Sequence, residues 1–260
     1  MITIRDKSYT ELKNMRLALS CSCGKDSVGL ALLCLEQNIP LKYVIRYKNG
    51  DDWNCMDNVW EKLKSIYLKF GAIDTIFVEL EGKNLLLEME KPHSYYFNGK
   101  KYYGLCPCGI YSRYGTEDKI SSLEKFSSSH SLIDVVGIAY GENRKLLDNK
   151  CYPLVEFSKT ETDCLNLCRK FGISWLEKTD LGFSIDLYDF CSRLSCKHCS
   201  YSNSRQLSMI IAYFPSLYQS ICDYQMKIDV PFKDWSSAFT LPIKLEKQIA
   251  DLITLSKNFV

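Results

Sequence analysis

The order of apolar and polar positions in the first eighty residues alternates between two periods. Short apolar runs typical of buried strands occur at residues 15–19, 41–47 and 75–80. Between them, residues 28–36 and 57–70 carry apolar side chains at helical spacing. A β-α-β-α-β order predicts parallel strands covered by helices. We therefore expect an α/β fold with a doubly wound, mostly parallel sheet.

The pattern of the middle of the chain predicts four further elements. Helical spacing recurs at residues 112–126, and Ile133–Ala139 is typical of a buried strand. Residues 153–157 form a short extended segment, and a helix capped by a hydroxyl side chain follows over 158–171. The aromatic and polar stretch 95–103 fits either a hairpin or a flexible loop.

Length and composition limit the class of protein. The 260 residues, 46% hydrophobic and 25% charged, fit a large domain over residues 1–202 with a mostly helical extension over residues 203–260. A formal net charge of +2 argues against an overall basic coat for nucleic acid. The sequence has neither an apolar run long enough to span a membrane nor an N-terminal secretory signal. We therefore predict a cytoplasmic protein with no membrane partner.

The turn between the first strand and the first helix, residues 20–27, has the chemistry of an anion site. Unpaired N–H groups converge at the start of a helix, small side chains let an anion approach them, and Lys25 adds a cation. The order S-x-G-x-D-S differs from the Walker pattern of other phosphate loops. The same residues also fit a polar turn capped by Asp26 or Ser27.

Thirteen cysteines without a secretory signal indicate reduced thiols rather than a disulfide framework. Two closely spaced pairs stand out, Cys106 with Cys108 and Cys196 with Cys199. Four thiolates suit a tetrahedral zinc ion or an iron–sulfur cluster, with Cys191 or His198 as substitute ligands. His198 fits a ligand or a solvent-facing side chain equally well.

Other cysteines have simpler interpretations. Four lie at helical positions and are interpreted as packing residues: Cys34, Cys164, Cys168 and Cys222. Cys21 and Cys23 flank the anion-type turn. They are either reactive thiols or small residues that fill a tight turn.

Four segments together resemble the phosphoadenosine phosphosulfate reductase-like family of the ATP pyrophosphatases, the PP-loop or adenine nucleotide alpha hydrolase-like superfamily. In family order they are Ser22–Ser27, the Cys106/Cys108 segment, Gly137–Arg144 followed by Tyr152-Pro153-Leu154, and Arg193–Cys199. The resemblance covers residues 15–202 and implies an enzyme that splits ATP into AMP and pyrophosphate while adenylating a substrate.

The resemblance also implies where ATP and its metal ions bind. The nucleotide-binding residues would be Ser20, Ser22, Cys23, Gly24, Lys25, Asp26, Ser27, Gly137, Glu142 and Arg144. Lys25, Asp26 and Arg144 would act in catalysis, and Asp26 with Glu142 would help to hold Mg²⁺. Among relatives with clusters bound by cysteines are tRNA thiolases. A [4Fe–4S] cluster is therefore expected, with Zn²⁺ as the alternative, and sulfur transfer is a reasonable extension.

The chain departs from the family in ways that change the expected activity. Ala139 replaces a family arginine, and no counterpart of the reductases' C-terminal nucleophilic cysteine follows Cys222. We therefore expect ATP activation of an unknown second substrate, nucleic acid or small molecule, with a possible sulfur-donor protein. The alternatives are a sulfonucleotide reductase that uses Cys222 and a non-catalytic nucleotide- or nucleic-acid-binding module. The interleaved aromatic and cationic residues of 95–103 suit a module that binds nucleic acid.

Overall fold

The structure is a computed structural model that describes residues 2–89, 94–97, 100–103, 114–199 and 202–227. In chain order the elements are α1 (Tyr9–Asn14), β1 (Leu17–Ser20), α2 (Lys25–Glu36), β2 (Leu41–Lys48), α3 (Cys55–Lys69), β3 (Ile76–Glu81), α4 (Leu85–Met89), β4 (Ser94–Phe97), β5 (Lys100–Tyr103), α5 (Tyr114–Ser129), β6 (Ile133–Val135), α6 (Pro153–Glu156), α7 (Glu161–Lys170), β7 (Leu176–Lys178), β8 (Ser184–Asp186), α8 (Leu187–Phe190), α9 (Ser204–Tyr213) and α10 (Pro215–Lys227).

Four parallel strands form the main sheet, in the order β3-β2-β1-β6. The central strand β1 is buried, and Leu17 and Leu19 are fully inaccessible to solvent. Such continuous burial is typical of a parallel strand covered on both faces. Because the strands are parallel, their carboxyl ends meet at one edge, and the turn after β1 lies at that edge.

Helices cover both faces of this sheet. Val44 of β2 pairs with Phe77 of β3, so Tyr43 and Phe77 point to opposite faces. The Tyr43 ring lies 5.5 Å from the ring of Phe126 in α5, and the Phe77 ring lies 5.1 Å from that of Trp60 in α3. Helices α5 and α3 therefore lie on different sides of the sheet. The predicted doubly wound α/β architecture is confirmed.

Helix α2 packs against α7 at a very short separation. Gly29 makes this possible, because a Cβ atom built there would lie 2.7 Å from Cβ of Cys164. The predicted hydroxyl cap of α7 is found at Thr160: its hydroxyl accepts the N–H of Asp163, and the Asp163 carboxylate accepts the N–H of Thr160. Helix α7 thus begins at Glu161, at a fixed distance from α2.

Two predicted elements differ from the structure. The segment 153–157, predicted to be extended, is instead the short helix α6, which starts with Pro153. Proline suits the first position of a helix because its φ is preset and its missing N–H would have no partner there. The strand predicted over Ile133–Ala139 ends at Val135, because the chain turns at Gly137 to pack against the residues after β1.

The predicted alternatives for the stretch 95–103 are also resolved. Strands β4 and β5 pair as an antiparallel hairpin, with Ser94 opposite Tyr103 and Phe97 opposite Lys100. Of the predicted C-terminal extension, helices α9 and α10 are described. No described helix is both long enough and apolar enough to cross a membrane.

The chain divides into two compact units. The first takes in the chain up to Lys48, Asn54–Gly82 and Lys119–Ser174, and contains the parallel sheet. The second takes in Asn49–Trp53, Lys83–Asp118 and the chain from Trp175 onward. The five residues after β2 therefore belong with the C-terminal part of the chain. The predicted boundary near residue 202 remains a prediction.

Candidate functional site

The turn between β1 and α2 leaves the start of the helix open. Cys23 adopts a left-handed conformation with φ of 58°, and Gly24 is the N-cap residue but offers no side-chain acceptor to the helix. The hydroxyl of Ser27 holds the turn together: it accepts the N–H of Ser22 (3.1 Å) and donates to the carbonyl of Gly24 (3.0 Å). An α-helix that starts without a side-chain cap is suited to receive an anion.

Lys25 places a buried cation at the first position of α2. Its side chain is 6% exposed, and Nζ lies 3.1 Å from Oδ2 of Asp26 and 2.5 Å from Oε2 of Glu161. Burial disfavours the charged ammonium, but the ion pairs with Glu161 and Asp26 outweigh it and raise the pKa of Lys25. The cation is therefore retained at the helix start.

Asp26 carries an oxygen atom with no protein partner. Its Oδ2 faces Lys25, whereas the buried Oδ1 has no hydrogen-bond partner among the described residues. Burial raises the pKa of Asp26, partly offset by Lys25 and reinforced by the charges of Glu161 and Glu142. A buried carboxylate oxygen that accepts no hydrogen bond from the protein can serve as a ligand for a cation.

The end of β6 meets this turn through Gly137. A Cβ atom at residue 137 would lie 3.3 Å from Cα and 3.4 Å from N of Ser27, so glycine allows the two backbones to approach closely. Just beyond, Oε1 of Glu142 accepts the N–H of Ala139 (3.0 Å), and Oε2 lies 3.5 Å from Nε of Arg144. The structure thus brings the predicted loop, Gly137 and Glu142 together, with half-exposed Arg144 beside Glu142.

Sequence reasoning missed Glu161 as a member of this group. The residue was recognisable as part of a helix start, but its contact with Lys25 joins positions 136 residues apart. A contact across that distance depends on the packing of α7 on α2. No spacing in the sequence shows that packing.

Cys21 and Cys23 are both buried under the turn. A hydrogen bond from Cys23 is the largest cause that lowers the pKa of Cys21, to about 7, and it outweighs burial, which raises it. Both thiols fill the turn, and Cys21 also carries an acidic thiol. Because both thiols are closed off from solvent, the structure favours the interpretation as residues that fill the turn.

A cavity among the described residues lies elsewhere in the first unit. It has a volume of about 650 Å³ and borders Arg16, Leu41 and Thr75, which precede or begin β1, β2 and β3. It is therefore at the amino ends of these strands, whereas ligands of such sheets bind beyond the carboxyl ends. We do not assign the nucleotide to this cavity.

The predicted metal ligands fall into two groups. Cys106 and Cys108 lie outside the described residues, and Cys196 and Cys199 lie in the loop before α9. Within the described part of the chain, no group of three or more histidine, cysteine or acidic side chains is placed to hold a metal ion. Burial raises the pKa of Cys196 to about 12, and the carboxylates of Asp51 and Asp52 add to this rise.

The two predicted substitute ligands already have protein partners. Cys191 is buried, and its Sγ lies 3.8 Å from Sδ of Met209. His198 is buried rather than solvent-facing, with Nδ1 2.7 Å from Oδ1 of Asp51 and Nε2 3.0 Å from Oγ of Ser220. Either ring nitrogen would have to give up a hydrogen bond to bind a metal.

The remaining described cysteines are free thiols, as predicted. Burial raises the pKa of the helical cysteines Cys34, Cys164 and Cys168. The packing interpretation therefore holds for these three residues.

No protein-family model and no curated protein sequence matches this chain. Among solved structures, the chain is similar to "U34-tRNA thiolase NcsA from Methanococcus maripaludis with its [4Fe-4S] cluster", with 15% sequence identity and a TM-score of 0.42. The match covers 84% of this chain and 77% of the other. Similarity at this level does not assign the chain to a family.

Proposed function

We propose that this chain is a PP-loop enzyme that cleaves ATP between its α and β phosphates and adenylates a second substrate. One observation carries the proposal: the uncapped start of α2 presents buried Lys25 next to Asp26, whose Oδ1 lacks a protein partner. A cation, helix N–H groups and an available carboxylate oxygen are together what a nucleotide's phosphates and their Mg²⁺ require.

The start of α2 would bind the pyrophosphate part of ATP. The N–H groups of the first helical turn and the ammonium of Lys25 offset negative charge on the phosphates. Because Lys25 contacts Glu161, phosphate oxygens would have to compete with that carboxylate or share the ammonium with it. In the transition state the same groups stabilise the departing pyrophosphate.

The acidic side chains near the turn fit Mg²⁺. Asp26 offers Oδ1, and the charge of Glu142 is close enough to raise the pKa of Asp26. Two neighbouring carboxylates that disfavour each other's charge gain from a divalent cation, and oxygen is the ligand that Mg²⁺ prefers. When bound, Mg²⁺ would neutralise phosphate charge. Arg144, 53% exposed, would supply a further cation to the phosphates.

We further propose that Cys196 and Cys199, with Cys106 and Cys108, bind a [4Fe–4S] cluster, with Zn²⁺ as the alternative metal. In support of this, Cys196 is a partly buried thiol that accepts an N–H of Asn49 at 3.2 Å, a bond that a ligating thiolate can also accept. A cluster bound there would supply sulfur chemistry for transfer to the activated substrate, which we propose to be a nucleic acid or a small molecule.

The proposal is tested by following α-labelled ATP with Mg²⁺ in the presence of bulk tRNA or a small-metabolite fraction. We expect AMP and pyrophosphate, rather than ADP, and a loss of at least ~100-fold in Asp26→Ala. Asp134→Ala is the matched control, since Asp134 pairs with Lys150 and Ser127 in the same unit and lies outside the proposed site.

Binding of Mg²⁺–ATP measured by calorimetry makes the test independent of the unknown acceptor. We expect Asp26→Ala to weaken binding and Asp134→Ala to leave it unchanged. AMP formation that survives in Asp26→Ala, or ADP as the product of the unaltered chain, would contradict the proposal.

A further inference from the structure

The five residues that follow β2 hold the loop that carries Cys196. We call Asn49, Asp51 and Trp53 the clasp, and residues 195–199 the cysteine loop. All of them belong to the second compact unit. The indole Nε1 of Trp53 donates to the carbonyl of Ser195 (2.9 Å), and the N–H of Lys197 donates to the carbonyl of Asp51 (2.9 Å). The clasp therefore contacts the cysteine loop along its length.

Asn49 contacts the sulfur atom itself. Its Nδ2 donates to Sγ of Cys196 at 3.2 Å, and its Oδ1 accepts the N–H of Asp51 at 2.9 Å. The second bond fixes the side-chain amide, so that its donor end faces the sulfur. The same N–H donor can donate to a sulfur atom that is bound to a metal, and it then helps to orient that ligand.

Asp51 fixes the backbone of the same loop. The carboxylate accepts the backbone N–H of His198 at Oδ2 (2.9 Å) and faces Nδ1 of its ring at Oδ1 (2.7 Å). The far side of the ring, Nε2, lies 3.0 Å from the hydroxyl of Ser220 in α10. His198 directly precedes Cys199, so these bonds fix the backbone from which Cys199 follows.

We propose that Asn49 and Asp51 are positioning residues for the metal-ligating thiolates Cys196 and Cys199. Asn49 donates to the ligand sulfur, and Asp51 holds the loop in its binding conformation. The inference rests on the cysteine metal site of the proposed function, and it is independent of ATP cleavage. Outer partners of this kind adjust metal affinity without touching the metal.

The variant Asn49→Asp isolates the contact with sulfur. Aspartate keeps an oxygen to accept the N–H of Asp51, replaces the donor to Cys196 with an acceptor and adds one negative charge. The matched control is Asn203→Asp, which adds the same charge in the same unit and keeps the N-cap of α9, because aspartate caps as well as asparagine.

The experiment titrates the reduced, metal-free chain with Co²⁺ and follows the thiolate-to-cobalt charge-transfer band, which Cys196→Ser identifies by its loss. We expect Asn49→Asp and Asp51→Asn to weaken Co²⁺ binding by roughly 10–100-fold, whereas Asn203→Asp binds like the unaltered chain. Far-ultraviolet circular dichroism of each metal-free variant establishes that it is folded.

The outcomes separate the clasp from the rest of the proposed function. Equal Co²⁺ affinity in Asn49→Asp and the unaltered chain overturns the clasp, as does an equal loss in Asn203→Asp. Absence of the charge-transfer band in the unaltered chain overturns both the metal site and the clasp. None of these results affects AMP formation, which is measured without Co²⁺.

Discussion

The turn at the start of α2 and the cysteine loop both hold groups that would act in chemistry, but they are assembled differently. At the turn, neighbouring residues supply most of the groups: the hydroxyl of Ser27 holds the backbone, and Lys25 and Asp26 are adjacent. In the cysteine loop, the partner of Cys196 is Asn49, which lies 147 residues away in sequence.

The pKa of the cysteine thiol is also shifted in opposite directions in the two regions. The hydrogen bond from Cys23 lowers the pKa of Cys21 to about 7, whereas burial raises that of Cys196 to about 12. Both sulfur atoms accept a hydrogen bond, but at Cys196 burial and the charges of Asp51 and Asp52 outweigh the bond from Asn49, whereas at Cys21 the hydrogen bonds outweigh burial. Residue type alone therefore does not indicate which cysteine is acidic.

The largest expected effect is a loss of ATP binding at the turn that leaves metal binding by the cysteine loop unchanged. Lys25→Ala removes the buried cation, and charge-assisted hydrogen bonds of this kind contribute about 1.5–3 kcal/mol. Calorimetry should show Mg²⁺–ATP binding weaker by about 10–100-fold, with unchanged Co²⁺ binding. Lys150→Ala, which removes the ion pair with Asp134, is the control.

Either of two results would change this comparison. Unchanged ATP affinity in Lys25→Ala would remove the turn as the phosphate site. A simultaneous loss of Co²⁺ affinity would show that the two regions are coupled in free energy rather than independent.

An intermediate effect tests how the cysteine loop is held. Trp53→Phe removes the indole donor to the carbonyl of Ser195, and we expect a loss of about 1–2 kcal/mol in the free energy of unfolding, measured with urea. Trp60→Phe is a matched control, because Nε1 of Trp60 is buried without a hydrogen-bond partner among the described residues. If both variants lose equal stability, the indole bond of the clasp contributes nothing.

The smallest effect concerns the charge of Asp26. Its pKa is raised in the folded state, so its ionisation destabilises the fold at neutral pH and has no effect well below the ordinary aspartate pKa of about 3.9. Asp26→Asn should therefore raise the free energy of unfolding slightly at neutral pH. This gain should disappear in acid, as measured by thermal unfolding.

Asp57 is a useful comparison with Asp26, because its pKa is shifted in the opposite direction. Burial raises its pKa, but Arg46 at 2.6 Å and Lys48 outweigh burial, and the net shift is downward. Asp57→Asn should thus lose a small amount of stability at neutral pH, and this loss should disappear in acid. The same direction of change in both variants would contradict the assigned pKa shifts.

The alternation of strand and helix patterns was sufficient to predict the parallel sheet, because apolar periodicity is a local property. It failed at α6, where a short apolar segment fits a strand or a helix equally well and Pro153 decides. The pattern also predicted too long a strand at β6, because the end of that strand depends on the contact of Gly137 with Ser27.

The candidate site was predictable to the extent that its residues are adjacent in the chain. The turn after β1 could be found from its small residues and its lysine. Glu161, Asn49 and Asp51 could not, because each acts through a partner more than a hundred residues away. Only the packing of helices and loops brings such groups together.

The contact between Gly29 and Cys164 has a consequence for electrostatics. Gly29 lies one helical turn after Lys25, and Cys164 lies about one turn after Glu161, so the separation of the two helix axes also sets the length of the ion pair. Any side chain larger than hydrogen at residue 29 would act as a spacer between the axes. An uncharged change of volume at that position would thereby loosen the hold of Glu161 on the ammonium.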